Sequence, residues 1–305
     1  MTLKEYIKNN FERIYYINLD SRKDRRERCI EIFKQYDIYD IVERIPGKVF
    51  TEEEIRDNLV KFTGNVNHIN LDKYNYGLKN LGRWGCTTGH LRALQTAKDN
   101  NIENILIFED DVEIYDGTQD TVQDYEEILE NANKTLQGIK WDLGYYPNPQ
   151  RGLWSNPKLI GPNIFTGKFL QSTHAVAYNK RTYNKILDDL LPSFNSFKWR
   201  ELEGTIDEYL GFVFQNYPDY ITTALTPILV YQRADFSDIQ QTSKDYTPAY
   251  LKNNILMLRD RVPDEFIRFP IRPNKNGTSF LKMNKKLEWE KITKEDYERY
   301  TSNTF

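Results

Sequence analysis

The chain has 305 residues, room for one large α/β domain with an appendage. Apolar residues make up 39% and aromatics 14%, which excludes a disordered chain and supplies a sizeable core. A net charge of −3 excludes bulk electrostatic attachment to nucleic acid or to an anionic membrane, so any phosphate must be held locally. Two cysteines, Cys29 and Cys86, cannot build a disulfide framework or a four-cysteine zinc site, and they fit a reducing compartment. The first residues lack the apolar core of a secretory signal, and no later stretch is as long as a membrane span. A cytoplasmic location is therefore expected.

Arg13 to Leu19 is an apolar, β-branched and aromatic run that predicts a buried strand. Asp20 or Ser21 then caps a charged helix over 21–36, with Cys29, Ile32, Phe33 and Tyr36 on one face. Ile38 to Ile45 predicts a second strand, closed by Pro46-Gly47. Residues 48–82 are polar and weakly periodic, and read as an acidic helix followed by a long surface excursion. Gly85 to Lys98 reads as a helix with Leu91, Leu94 and Ala97 inward, and Asn104 to Phe108 as the clearest strand of the chain. A helix over 121–137 follows, then strands at Trp141 to Tyr146 and Thr173 to Tyr178. Helices over 180–190 and 205–215 precede short strands at Tyr220 to Thr223 and Ile228 to Tyr231. This alternation predicts an α/β fold with a mixed, mainly parallel sheet flanked by helices. After about residue 246 proline and basic residues rise around an amphipathic 248–260, which marks an extension.

The strongest chemical signal is Glu109-Asp110-Asp111, three carboxylates where an apolar strand ends. Ligands in open α/β sheets bind at such strand ends. Uncompensated, the three charges repel, and a hard divalent cation such as Mg²⁺ or Mn²⁺ relieves them while leaving positions open for phosphate. The same triplet also fits a solvated acidic turn. Asn18 and Leu19 end the first strand, and Arg22, Arg25 and Arg26 open the helix after it. Backbone N–H groups and guanidinium groups there suit a nucleotide, and Asn18 is placed to read a base or ribose edge. A surface helix of alternating charge fits these residues as well. In Trp84 to Leu91, small residues let a helix start lie close to a neighbour, and His90 falls on its first turns as a ligand-binding or packed residue. Cys86 has no partner spacing that supports nucleophilic catalysis. Asp207 and Glu208 open a helix, where its dipole favours acids, and either can serve as a general base. The polar run Gln232 to Ile239 follows a strand and supplies Gln232 as a further candidate at the cation or diphosphate, while Asp142 reads as an orienting residue.

Taken in order, IYYINLDSRKDRRE (14–27), RIP (44–46), GCTTGHLRAL (85–94), ILIFEDDV (105–112), WDLGYY (141–146), the strand at 172–178, IDEYL (206–210) and YQRADFSDI (231–239) resemble glycosyltransferase family 25. That family includes bacterial lipooligosaccharide galactosyltransferases and collagen hydroxylysine galactosyltransferases. The resemblance spans about residues 13–240. It implies a GT-A-type catalytic domain over 1–245, with 246–305 as dimer contact, acceptor platform or packing. It also implies a UDP-hexose donor (UDP-galactose or UDP-glucose), Mn²⁺ or Mg²⁺, and inversion at the anomeric carbon. Glu109, Asp110 and Asp111 match the family's metal segment, with Asp111 the foremost ligand. Glu109, Asp110, Asn18 and the arginines fall on the donor side, and Asp207 matches the late-helix acid. Gly89 stands where the family more often has Ser. The expected acceptor is a hydroxyl of a collagen-like protein or of a surface glycan, and a microbial or viral enzyme is expected. A nucleotidyltransferase would need a glycine-rich phosphate loop, and 19–27 holds no glycine. A non-catalytic sugar-nucleotide or glycan-binding protein on the same scaffold is the alternative. Loss of the acidic triplet would mark it, and the triplet is intact.

Overall fold

In the computed structural model, Arg13–Asn18 forms strand β1, every residue of which after Arg13 is buried. Such a strand reads as a continuous apolar run because both of its faces are covered. The structure describes residues 1–51, 53–54, 81–114, 125–146, 155–168, 170, 172–190, 205–225, 230–233, 235–237, 242–244, 271–273, 280–283 and 289–294. Most of the expected 48–82 excursion and all of the amphipathic 248–260 lie outside them.

β1 lies between two parallel neighbours, β2 (Val42–Pro46) and β3 (Asn104–Glu109). The register sets Asn18 beside Pro46 and Ile17 beside Glu109, so the three strands end level. The sheet continues through β8 (Ala175–Asn179), β5 (Leu143–Tyr145), β9 (Thr222–Leu225), β7 (Ile164–Lys168) and β6 (Ser155–Gly161), in the order β2-β1-β3-β8-β5-β9-β7-β6. It is parallel at its N-terminal part and between β5 and β9, and antiparallel at the other four pairings. Two short strands, β4 (Val112–Ile114) and β10 (Val230–Gln232), pair outside it. Beyond them, β11 (Asp235–Ser237) pairs with β12 (Thr242–Lys244), and β13 (Ile271–Pro273), β14 (Phe280–Met283) and β15 (Trp289–Ile292) form an antiparallel sheet.

Helices cover both faces. Helix α1 (Leu3–Asn10), α2 (Lys23–Gln35) and α4 (Tyr125–Gln137) pack with Ile14, Tyr16, Leu106 and Phe108 on one side. Helix α3 (Leu81–Asp99), α5 (Lys180–Leu190) and α6 (Ile206–Phe212) pack with Tyr15, Ile17, Ile105 and Ile107 on the other. Successive strand residues alternate between the two cores, as the pleat requires. From β1 the chain crosses through α2 to β2 on one side and returns through α3 to β3 on the other. The cleft between β1 and β3 is thus a topological switch point.

Some elements depart from the periodicity. Helix α2 starts at Lys23 with Arg22 at its N-cap and no side-chain cap there, so neither Asp20 nor Ser21 caps it. Asp20 instead accepts from Arg44 at 2.5 Å. Asp37, at φ 56°, ends α2 in the left-handed region, and Tyr39–Ile41 forms a tight turn before β2 begins. The periodicity does not predict α1, β4 or the β6–β7 hairpin. Asp142 orients elements as expected: buried, it accepts from Arg181 Nη1 and from the Ile221 N–H, both at 2.8 Å.

Helix α3 approaches β1 through glycines. A Cβ at Gly85 would stand 2.7 Å from the Lys48 carbonyl oxygen, and one at Gly89 would stand 2.7 Å from Ile17 Cγ2. Ile17 is β-branched and stiff, so it yields poorly. Gly89→Ala gains about 1 kcal/mol of helix propensity, but overpacking of about 1–3 kcal/mol outweighs it. Urea unfolding should therefore show a net loss of stability. A gain would mean that α3 is not seated against β1.

Candidate active site

A cleft of about 400 Å³ opens where β1, β2 and β3 end, and Glu109, Asp110 and Asp111 all line it. A groove of about 550 Å³ lies at the other ends of β1 and β2, lined by Lys8, Arg13 and Glu43 among others. That is the wrong end of parallel strands for a ligand.

The three carboxylates have separate surroundings. Glu109 continues the Ile105–Ile107 face toward α3. Its Oε1 takes Thr173 Oγ1 at 2.6 Å, His90 Nε2 at 3.3 Å and Cys86 Sγ at 3.6 Å. Burial pushes the Glu109 carboxyl up, but His90 and Thr173 outweigh it and hold it below the ordinary carboxylate range. Asp110 continues the Leu106–Phe108 face toward α2. Its Oδ1 takes Arg25 Nη1 and its Oδ2 takes Asn18 Nδ2, both at 2.8 Å. Burial nonetheless outweighs Arg25 and Asn18 and leaves Asp110 raised, while Arg25, opposed by its own burial, is kept charged by Asp110 and Asp111. Asp111 lies past the strand end, and β4 pairing sets Gln232 beside Val112. Gln232 Nε2 donates to Asp111 Oδ2 at 2.6 Å, and the Arg233 N–H donates to the Asp111 carbonyl at 2.8 Å. Asp111 Oδ1 is buried with no hydrogen-bond partner among the described residues. Burial first, then the charges of Glu109 and Asp110, push this carboxyl up to about 7.

A buried carboxylate oxygen left open in a cleft is what a hard cation needs from a protein, with phosphate and water completing its shell. The residues fit such an ion at Asp111. Each oxygen of Asp110 already holds a donor, and these bonds tie α2 and β1 to the strand end.

The other candidates divide as well. Asn18 is buried, donates to Asp110 and to the Arg22 carbonyl, and accepts from Arg44 Nε at 3.1 Å. It lines the cleft with its amide bonded within the surrounding loop and to Asp110. Leu19, Arg22, Arg25 and Gln232 line the cleft. Arg22 is held in a fork with Asp24, at 3.0 and 2.8 Å. Arg26 is exposed on α2 and is not among the cleft-lining residues. His90 is fully buried behind Glu109 with Nδ1 3.3 Å from Tyr178 Oη, so it supports the wall and does not line the cleft.

Glu208 completes a capping box with Thr205 and is spent on the start of α6. Asp207 Oδ1 accepts from the Ser172 N–H, and the Ile206 N–H donates to Thr87 Oγ1 at 3.0 Å, which docks this helix start on α3. Asp207 is close enough to Cys86 for its charge to raise that thiol, after burial and Glu109. Neither acid lines the described cleft.

The sequence reading missed Ser21, Gly47, Lys48 and Arg44. The first three line the cleft, and Arg44 bonds both the side chain and the carbonyl of Asn18. The available signal was the parallel β1–β2 pairing, which brings the residues after Pro46 level with those after Asn18. Cys86 also lines the cleft, as a thiol held protonated by burial and Glu109 rather than as a nucleophile.

Among the described residues no helix is long and apolar enough to cross a membrane. Mouse and human proteins named procollagen galactosyltransferase 2 are each 25% identical to the chain over 158 residues, 52% of this chain and 24% of theirs. A Drosophila melanogaster protein named glycosyltransferase 25 family member is 24% identical over 318 residues, 93% of this chain and 47% of its own. The chain thus spans between a quarter and half the length of the curated relatives it matches. Residues 11–184 match the sequence profile of Glycosyltransferase family 25 (LPS biosynthesis protein), more than half of the chain. That match runs from β1 into the first half of α5 and takes in every cleft residue except Gln232, so the chain belongs to glycosyltransferase family 25.

Proposed function

We propose that the chain is an inverting, metal-dependent hexosyltransferase that moves galactose from UDP-galactose to a hydroxylysine hydroxyl of a collagen-like protein. The observation that carries this reading is Asp111, a buried carboxylate with one open oxygen at the end of β3, in a cleft at the switch point of the sheet. The names of the mouse and human relatives favour galactose over glucose and procollagen as acceptor. The family description favours a lipopolysaccharide-type glycan as the second acceptor to try.

A Mn²⁺ or Mg²⁺ ion held by Asp111 would neutralise the donor diphosphate and the leaving UDP. Gln232 fixes the Asp111 carboxylate through Oδ2 and leaves Oδ1 open, where it would hold the ion. Arg22 and Lys48 reach the cleft from exposed partners, Asp24 and Glu54. Exchanging such surface pairs for a diphosphate costs little. Leu19 and Val49 supply apolar surface for the nucleoside. Asp207 accepts the proton of the acceptor hydroxyl as its oxygen bonds to the anomeric carbon. The carbon–oxygen bond to the diphosphate breaks, and UDP leaves with the electron pair. Glu208 holds the cap of α6 and keeps Asp207 placed.

The direct test offers UDP-galactose and UDP-glucose, with and without Mn²⁺, to a hydroxylysine peptide and to a lipooligosaccharide core, with product mass as readout. Asp111→Asn should lower transfer by about 10²-fold or more, and Asp207→Asn by about 10²–10⁴-fold. Glu208→Ala should cost about 1 kcal/mol of stability and far less of the rate. Near-normal turnover of Asp111→Asn would overturn the reading, and donor binding without transfer or hydrolysis would favour a binding protein.

Asp111 also predicts a pH signature. Its carboxyl is raised in the folded, ion-free protein, so the fold binds an extra proton between the ordinary 3.8 and about 7. Stability contributed by this group is therefore full below 3.8 and falls as pH rises to about 7. Asn has no charge to bury. Ion-free Asp111→Asn should melt above the parent at pH 8, by on the order of a few kcal/mol, and match it near pH 4. Mn²⁺ should raise the melting temperature of the parent alone. A variant less stable at pH 8 would show that Asp111 is not a strained carboxylate.

A further inference from the structure

Cys86 and His90 stand four residues apart on α3, so their side chains rise from one face of the helix. Both meet Glu109 from β3. Sγ of Cys86 is 3.6 Å and Nε2 of His90 is 3.3 Å from the same oxygen, Oε1, and all three ligand atoms lie within 4.8 Å of one another. Around tetrahedral Zn²⁺, with bonds of about 2.3 Å to sulfur and about 2.0 Å to nitrogen or oxygen, the sulfur–oxygen and nitrogen–oxygen edges are about 3.5 and 3.3 Å. The sulfur–oxygen and nitrogen–oxygen distances to Glu109 fit that figure.

The surroundings are those of a built site. His90 Nδ1 faces Tyr178 Oη at 3.3 Å, and Glu109 Oε1 takes Thr173 Oγ1 at 2.6 Å. Such outer partners fix the ring and the carboxylate of a metal site. Cys86 and Glu109 line the cleft, which gives an ion both an entry path and an open fourth position.

We propose that Cys86, His90 and Glu109 form a soft-cation site of the Zn²⁺ class on the cleft wall, separate from the hard-cation carboxylate Asp111. Sulfur and imidazole donors select zinc or cobalt, whereas the lone carboxylate oxygen of Asp111 suits manganese or magnesium. On binding, the Cys86 proton leaves to solvent, a sulfur–metal bond forms, and no electron moves. The site stands independently of the transferase reading.

Co²⁺ tests it, because its spectrum reports both geometry and sulfur ligation. Titrated into the full chain carrying Asp111→Asn, one equivalent should give the intense visible bands of tetrahedral cobalt and a near-ultraviolet sulfur-to-cobalt band. Zn²⁺ should erase both, and excess Mn²⁺ neither. Cys86→Ser and Cys86→Ala should each remove the sulfur band while keeping a cooperative melt. His90→Gln should weaken Co²⁺ binding about 10-fold or more. Loss of the bands upon Asp111→Asn alone, their absence in the parent, or a sulfur band that survives in folded Cys86→Ser would overturn the site. Cobalt bands in a chain that transfers no sugar would sink the transferase reading and leave the site standing.

Discussion

Three consecutive carboxylates at one strand end repel one another and resist burial, and the fold manages them by sending each to a different neighbour. The pleat makes the first two separations. Glu109 stays on the face of Ile105 and Ile107, where α3 offers an imidazole and a thiol, and Asp110 stays on the face of Leu106 and Phe108, where α2 offers a guanidinium. Asp111, beyond the strand, takes an uncharged amide, that of Gln232, at Oδ2. Two of the three are compensated by protein. The third keeps its strain, and a site for a cation is where such strain is useful.

The same division shapes the nucleotide side. Arg25 and Asn18 look, as residue types, like groups that seize phosphate and base. Here they secure the β1–α2 turn to Asp110, and Arg44 locks Asn18 from β2. This network ties the ends of three parallel strands into one rigid rim. Breaking one member would leave a buried charge or amide without its partner, so the rim stands or falls as a unit. A rim of that kind presents Leu19, Arg22 and Lys48 to a ligand without itself rearranging.

What the sequence made legible was what depends on near neighbours along the chain. Apolar runs and their alternation located β1, β3, β8, α3 and α5, and the run of acids after β3 marked the cleft. Small residues in 85–89 announced a close helix, and the Lys48 carbonyl at Gly85 and Ile17 at Gly89 are what they make room for. What escaped depends on distant partners. That Asp111 keeps an open oxygen follows from Gln232, 121 residues away, placed by two strands of three residues each. Strands that short carry no periodicity to read. The β6–β7 hairpin hid for a related reason: Pro157 and Gly167 are poor strand residues, tolerated toward the sheet edge.

The start of α6 shows how two adjacent acids of equal charge acquire unequal chemistry. Glu208 sits at the third helical position after Thr205, where its carboxylate reaches back to the cap N–H. A base that must take and release a proton gains nothing from that bond, and the helix loses its cap if the carboxylate leaves. Asp207, one position earlier, cannot reach the cap. It holds the Ser172 N–H instead, at a residue whose φ of 87° few side chains adopt, directly before the Thr173 that grips Glu109. Asp207 therefore bears on the wall of the cleft through Ser172 and Thr173 and on Cys86 through its charge. Among the described contacts it is Asp207, not Glu208, that joins the start of α6 to the segment holding Glu109.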